Sequence, residues 1–403
     1  MDLAYSPTQA RLIEAALTFV EDEVIPAEPV ARDEAAARPP EHQWDRLPVV
    51  DRLRDTAREL GLWDLWVPEP WGQGLGALDA APVAEASGRS PHLAPTAMNS
   101  IGADVGTMRL LAAHGTPEQQ EQWLRPLADG TIRSAIAMTE PGVASSDAHN
   151  IATQVREEGD ELVLTGHKWW TTGAMAPDCA FLLVMAQSAP QAMRHRQHSL
   201  VIVPRDAPGL RISRNLTLLG QADPIIGGHA DIVLDEVRVP RANLVGDWHG
   251  GYSLAQERMN PSRLLHGLRL VGVAERAFDL MAERVQHRVS GGRVLGQHGL
   301  VQEWIGRSRI EIDQARMLAL RAAWFMDRDD ERTATAVSQL KVVAPAMAGA
   351  VVDRSMQALG ALGVGPDTML PELYSYARML RLQDGPDEVH LLAVARRELR
   401  RYS

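Results

Sequence analysis

The hydrophobic pattern changes period twice along the chain, and that change restricts the fold more than any other feature. From Thr8 to about Gly130 the apolar spacing is helical. TQARLIEAALTFVEDEVIPAE places Leu12, Ala16, Phe19 and Val20 three or four residues apart, with acids on the other face. A second helical run, Asp45 to Leu60, stops at Gly61, and helical texture resumes after the Gly- and Pro-rich PEPWGQGLG. At Thr131 the period shortens. ELVLTGHKWWTT, CAFLLVMA, HSLVIVPRDAPG and HADIVLDEVRVP are rich in β-branched residues and broken by Gly, Pro and Asp, which predicts strands at hairpin-like spacing. After Gly246 helices return: Arg263 to Val289 carries Leu264, Leu268, Val271, Phe278, Met281 and Val285 along one stripe, and two more long segments repeat the pattern. The expected architecture is α+β multidomain. An N-terminal helical domain covers 1–130, a middle β-barrel or sandwich covers 131–245, and a C-terminal four-helix bundle covers 246–403. The wide apolar faces of that bundle leave room for subunit contacts.

Composition removes several function classes. The 403 residues carry a net charge of −11 with basic residues scattered among acids, which argues against a nucleic-acid surface. The single cysteine, Cys179, rules out an intramolecular disulfide and any Cys-based metal site, and its apolar run predicts a buried thiol. MDLAYSPTQA lacks a basic start followed by an apolar core, and no apolar run approaches the roughly 20 residues that span a bilayer. A cytoplasmic protein that binds neither membrane nor nucleic acid is expected.

The common catalytic templates fail: there is no G-x-S-x-G elbow, Walker A loop or H-E-x-x-H helix. His195, His198 and His229 could suggest a metal, but loop histidines at the surface are the plainer expectation, and no metal is expected. GLWDLWVPEPWGQGLG has glycines without the strand and helix of a dinucleotide fingerprint. Three clusters remain. AMTEPGVASSDAHN, Ala137 to Asn150, is a loop able to aim N–H groups and hydroxyls at a flat heterocycle or a phosphate. KWWTTG, Lys168 to Gly173, sets two indoles beside two threonines; in a regular strand they face opposite ways, so one is core and one is surface. RLQDGPDEVH, Arg381 to His390, sets Asp384 before Gly-Pro between two helical stretches. Read alone, that is a turn opening a helix or a base held in a joint.

Together the clusters, the helical–β–helical order and the C-terminal R-x-x-D-G-x-x-E resemble the acyl-CoA dehydrogenase family over essentially the whole chain. GGHADIVLDEVRVPRANLVG and VSGGRVLGQHGLVQEWI point within it to the branch of family members 10 and 11. The resemblance implies the acyl-CoA dehydrogenase fold and FAD. Met138 and Thr139 would contact the isoalloxazine ring, Ser146 would lie near cofactor and acyl-CoA, and Trp170 and Thr172 would cover the ring's other side. From a neighbouring subunit, Arg288, Gln357 and Gly360 would reach FAD, while Pro386 and Glu388 would fall at its adenosine end. Asn260, Pro261, Ser262 and Arg263 would line the acyl-CoA pocket, with Arg263 able to pair with the base. Asp384 matches that base. It would take the α-proton of an acyl thioester while hydride leaves Cβ for flavin N5, with desolvation raising its pKa toward working pH. A homodimer or homotetramer passing electrons to an electron-transfer flavoprotein is implied, with an acyl carrier protein thioester as a variant substrate.

The chain departs from the family pattern at four places. Asp384 stands where most members have Glu, shorter by roughly 1.5 Å. Gly291 and Gly299 replace a Phe and a Gln, and Ala361 replaces a second glycine after Gly360. An Asp base also fits a flavin oxidase or monooxygenase of the nitroalkane-oxidase kind, and a catalytically silent assembly protein is the reading from another class.

Overall fold

The structure, a computed structural model, describes residues 7–402, so expectations placed on residues 1–6 and on Ser403 lie outside it. The chain divides into two compact units. One comprises Pro26–Leu75 and Thr96–Ser262; the other comprises the described residues through Ile25, Gly76–Pro95, and the chain from Arg263 onward.

The first unit is built on strands β1 Arg133–Ala137, β2 Gln154–Glu158, β3 Glu161–Thr172, β4 Cys179–Gln187, β5 His198–Pro204, β6 Leu210–Asn215, β7 His229–Pro240 and β8 Leu244–Val245. Their order is β6-β7-β3-β2-β4-β5-β8, with β1 parallel beside β4. Only the pair Gln154–Gln187 joins β2 to β4, so the sheet is two leaves. Leu162 and Leu164, Leu182 and Val184, Val201 and Val203, and Ile232 and Leu234 belong to one buried cluster. Their two-residue spacing is what a pleated strand requires to put side chains on one face. Each such burial contributes about 1.5–3 kcal/mol. Asp104, in the first turn of the helix Gly102–His114, ties that helix to β1. Its Oδ1 accepts from Ser134 N at 2.8 Å and from Ser134 Oγ at 2.9 Å. Cys179 is fully buried, and burial pushes its thiol up to about 12.

The second unit is helical: Pro7–Thr18, Ala77–Gly88, the part of Gly251–His287 from Arg263 onward, Gly299–Met326, Thr333–Leu359, Leu370–Met379 and Asp387–Leu399. Ala77–Gly88 and Gly251–His287 cross where neither has a side chain. A Cβ added at Gly88 would lie 2.0 Å from Arg269 O, and one at Gly272 would lie 2.0 Å from Glu85 O. Arg316 reaches from the Gly299 helix to Glu85 at 2.9 Å and also pairs with Glu275.

Three expectations are corrected. The long helix begins at Gly251, not Arg263, and carries Pro261 inside it; proline removes one ladder bond, which a 37-residue helix packed along its length tolerates. It also ends at His287, and Val289–Ser290 pairs with Arg293–Val294 as a hairpin. Gly291 and Gly292 sit at φ 58° and 79°, the two left-handed positions of a tight hairpin turn. Lastly, among the described residues Thr333–Leu359 has the length and hydropathy of a membrane span. Its apolar window is 61% buried within the fold, as in a central bundle helix.

Two alanine substitutions test the helix crossing. Gly272→Ala forces Cβ into Glu85 O and is expected to cost about 1–3 kcal/mol. Gly349→Ala, with nothing within 4 Å of the new Cβ, is expected to be neutral or to stabilise by up to about 1 kcal/mol. Thermal unfolding of both variants checks the contrast.

Candidate active site

In the β unit, a bulge in β3 breaks the expected alternation of the two tryptophans. Lys168 pairs with Ile232 and Thr171 with Ala230, so Trp169 and Trp170 together oppose Asp231 alone. Trp170 takes φ 52°, costly for a bulky residue, and the residue remains 38% exposed. Trp169 N donates instead to Thr139 O at 3.0 Å, stitching the AMTEP loop to the bulge.

Beneath that loop lies a buried ion pair that the sequence reading missed. Lys168, fully buried, donates to Met138 O at 3.0 Å, to Met185 O at 2.8 Å and to Glu140 Oε1 at 2.8 Å. Glu140 also accepts from Thr153 N and Ala152 N, both at 2.8 Å. Burial pulls Lys168 down to about 8, which still leaves the ammonium charged at neutral pH. For Glu140, burial pushes the pKa up, but the Lys168 charge and these hydrogen bonds outweigh it, and the carboxyl ends below its ordinary value. Met138 and Thr139 are thereby fixed from below. The signal was present in the period of β3: Leu162, Leu164 and Lys168 share a face, and an inward lysine requires a buried acid.

Thr172, at the end of β3, lies with Trp170 near the same ring of His229. Thr172 Oγ1 is 2.9 Å from His229 Nδ1, and the Trp170 and His229 ring centroids are 5.4 Å apart. Of the three histidines expected at the surface, only His195 is exposed; His198 and His229 are buried. Among the described residues no group of three or more His, Cys, Asp or Glu side chains converges as a metal site. Ser146 is exposed in the loop after β1, while Ser262 is buried and donates to Gly102 O at 2.9 Å. Asn260 and Pro261 are half-buried on the same helix.

In the helical unit, Asp384 occupies the joint between Leu370–Met379 and Asp387–Leu399 at φ 57°, a left-handed conformation that Asp tolerates. Gly385 follows at φ 101°, and a Cβ there would meet His390 Nε2 at 2.9 Å. The main-chain carbonyl of Asp384 accepts from Arg263 Nε at 2.9 Å and lies 3.2 Å from His390 Nε2. Since a carbonyl only accepts, His390 carries its proton on Nε2. Burial first, then the Arg263 charge, pulls His390 down to about 4, so it is neutral at physiological pH. The carboxylate faces a different histidine: Asp384 Oδ2 is 3.8 Å from His266 Nε2, beyond hydrogen-bond length but within Coulombic reach. His266 Nδ1 is 3.4 Å from the Tyr376 hydroxyl. Lys341 donates to Leu380 O; burial pulls its pKa down to about 8 while Asp384 pushes it up. His266, Lys341 and Tyr376 were not found from sequence, because each sits on an apolar helix face where spacing alone reads as core.

Asp384 is therefore both the turn residue and a shielded carboxylate. Pro386 is the half-buried residue before the last helix, and Glu388 is exposed in its first turn. Arg288 and Gln357 are exposed, and Gly360 ends the Thr333 helix at φ 66°.

Known proteins match this chain throughout. Residues 6–131, 135–237 and 249–399 match the acyl-CoA dehydrogenase N-terminal, middle and C-terminal domains. FadE2 of Mycobacterium tuberculosis is 46% identical over 367 residues, covering 91% of this chain and 89% of that protein. Acyl-CoA dehydrogenase family member 10 of Mus musculus is 41% identical and covers 99% of this chain, which spans only 37% of that longer relative. A solved structure from Mycobacterium abscessus, 42% identical, superposes with a TM-score of 0.95 over all of both chains. The chain belongs to the acyl-CoA dehydrogenase family, whose members are flavoprotein oxidoreductases.

Lys168→Met strands the Glu140 carboxylate and is expected to cost about 3–5 kcal/mol at pH 7. In the parent protein Glu140 titrates below its unfolded value of 4.5. The unfolded chain therefore binds its proton first, and the pair's contribution, full above that pH, is lost as pH falls through the folded value. The deficit of the variant should shrink over the same window, as read from urea midpoints at pH 7 and pH 4.

Proposed function

We propose that the chain is an FAD-dependent acyl-CoA dehydrogenase in which Asp384 removes the α-proton of an acyl thioester. The observation that carries the reading is the Asp384 joint. A carboxylate is held in a left-handed turn by Gly385, its main chain is clamped by Arg263, and its oxygens face a buried histidine. A plain turn aspartate would point to water and need no such shell.

The residues present in the β unit fit a flavin. The bulge turns the Trp170 indole outward, where an aromatic wall can exclude water from one face of a planar ring. Thr172 offers a hydroxyl held in place by His229, and Met138 and Thr139 form an edge braced by Lys168. FAD, when bound, supplies the two-electron acceptor for the hydride that leaves Cβ. Ser146 and the run Asn260, Pro261, Ser262 and Arg263 bind and orient the acyl-CoA.

Thioester α-protons are very weak acids, so Asp384 alone does not suffice. Arg263 fixes the backbone from which the carboxylate projects, which counts because a displacement of about 1 Å can cost on the order of a hundredfold in rate. The positive charge of Lys341 lies close enough to interact with Asp384. His266 faces the oxygen that receives the proton. Exposed Arg288 and Gln357, with Gly360, are available to contact FAD in a neighbouring copy, in a dimer or tetramer. The electron acceptor in this reading is an electron-transfer flavoprotein.

A panel of acyl-CoAs mixed anaerobically with the purified yellow protein is expected to bleach the flavin absorbance. Asp384→Asn should keep flavin and thioester binding and lose at least about 100-fold in reduction rate, the contribution of a positioned proton acceptor. Undiminished reduction in that variant rules out the base. Hydrogen peroxide from nitroalkanes, without a thioester response, would replace the dehydrogenase with an oxidase.

A further inference from the structure

The Thr172 hydroxyl ends a chain of two hydrogen bonds that proton abstraction by Asp384 does not use. His229 Nδ1 lies 2.9 Å from Thr172 Oγ1, and His229 Nε2 lies 2.9 Å from Asp223 Oδ2. The imidazole is 1% exposed, and its position is set from several sides. His229 is the cross-strand partner of Thr172 in the β3–β7 ladder. Its main-chain N–H donates to Asn215 Oδ1 at 2.6 Å. Asp223 adopts φ 55°, and Gly227 and Gly228 follow at φ 80° and 60°, so a loop of left-handed residues delivers the carboxylate to the ring. Holding three polar groups in a buried line is costly unless every member is satisfied, and here each bond has its partner.

The chemistry of the line follows from its outer end. An ionised carboxylate only accepts, so Nε2 carries a proton whatever the state of the ring. The remaining variable is Nδ1. When Nδ1 is bare it accepts the Thr172 proton, and the threonine turns lone pairs outward. When Nδ1 carries a proton it donates to Thr172, and the hydroxyl hydrogen turns outward. The same side chain thus meets a ligand as acceptor or as donor, decided one residue away.

We propose that His229, oriented by Asp223, is a positioning residue that sets the hydrogen-bond polarity with which Thr172 meets the flavin and so tunes the flavin's reduction potential. The inference rests on the reading above that Thr172 contacts the flavin. Reduction converts an accepting ring nitrogen of a flavin into an N–H donor. A Thr172 that presents lone pairs therefore favours the reduced ring, and one that presents its hydrogen favours the oxidised ring. With Asp223 holding the Nε2–H tautomer, Thr172 presents lone pairs and raises the potential.

The test is a thermodynamic cycle read in the holoprotein without substrate. Reduction potentials are measured by photoreduction against redox dyes for the parent, His229→Phe, Thr172→Val, the double variant and Thr172→Ser. Both single removals should shift the potential downward, the double variant should shift no further than Thr172→Val, and Thr172→Ser, which keeps the hydroxyl, should hold the parent value. A parent-like potential in His229→Phe, or shifts that add in the double variant, overturns the proposal. Should His229→Phe fail to fold, Asp223→Asn takes its place in the same cycle with the same criteria. A readout independent of FAD is the nitrogen-15 spectrum of the His229 ring in flavin-free protein. It should show the proton on Nε2 and a bare Nδ1, and a ring protonated on Nδ1, whether or not Nε2 also carries a proton, overturns the proposal. A chain that takes up no FAD overturns this inference together with the proposed function. A yellow protein bleached by thioesters whose potential ignores His229 overturns this inference alone.

Discussion

A lysine ammonium and a glutamate carboxylate with almost no water around them hold the loop after β1 against the sheet of the β unit. Lys168 and Glu140 are 2.8 Å apart at 0% and 5% side-chain exposure. Taking either charge out of water alone would cost several kcal/mol. The pair is tolerable because both ends are saturated with main-chain partners: Met138 and Met185 carbonyls for the lysine, Ala152 and Thr153 amides for the glutamate. That saturation converts an electrostatic liability into a geometric constraint. Neither Met138 nor Glu140 can move without stranding a charge, and the bulge at Trp169 and Trp170 hangs from the same loop through the Thr139 carbonyl.

In the helical unit, conformation takes the place of charge. Two successive left-handed residues, Asp384 and Gly385, reverse the chain between helices and leave the carboxylate beside His266. Only glycine fits the second position, because its φ is strained for other residues and His390 occupies the space a Cβ would need. Arg263 donates to the Asp384 carbonyl and so holds the backbone from which the short carboxylate arm projects.

One departure from the family pattern gains a physical reason. Gly291 is the first residue of a two-residue hairpin turn that needs positive φ at both positions, so an aromatic there would be strained. No Cβ added at Gly299 would meet anything within 4 Å, and nothing in the structure explains why glycine stands there.

The sequence by itself determined the order of helices and strands, the reach of the β section and the joint at Asp384, because periodicity and turn chemistry are local properties written over a few consecutive residues. It also carried the family motifs. What it could not express was which distant side chains meet. Leu162, Leu164 and Lys168 were legible as one face of a strand, yet the acid that answers Lys168 lies 28 residues away in a loop. His229 read as a surface histidine because its partners, Asp223 and Thr172, come together only when β7 pairs with β3. His266, Lys341 and Tyr376 read as core, and in one sense they are; the burial that hides them in a hydrophobic pattern is what makes their polar atoms effective. Only the tertiary structure decided those meetings, since a contact between residues far apart in the chain leaves no trace in the spacing of either one.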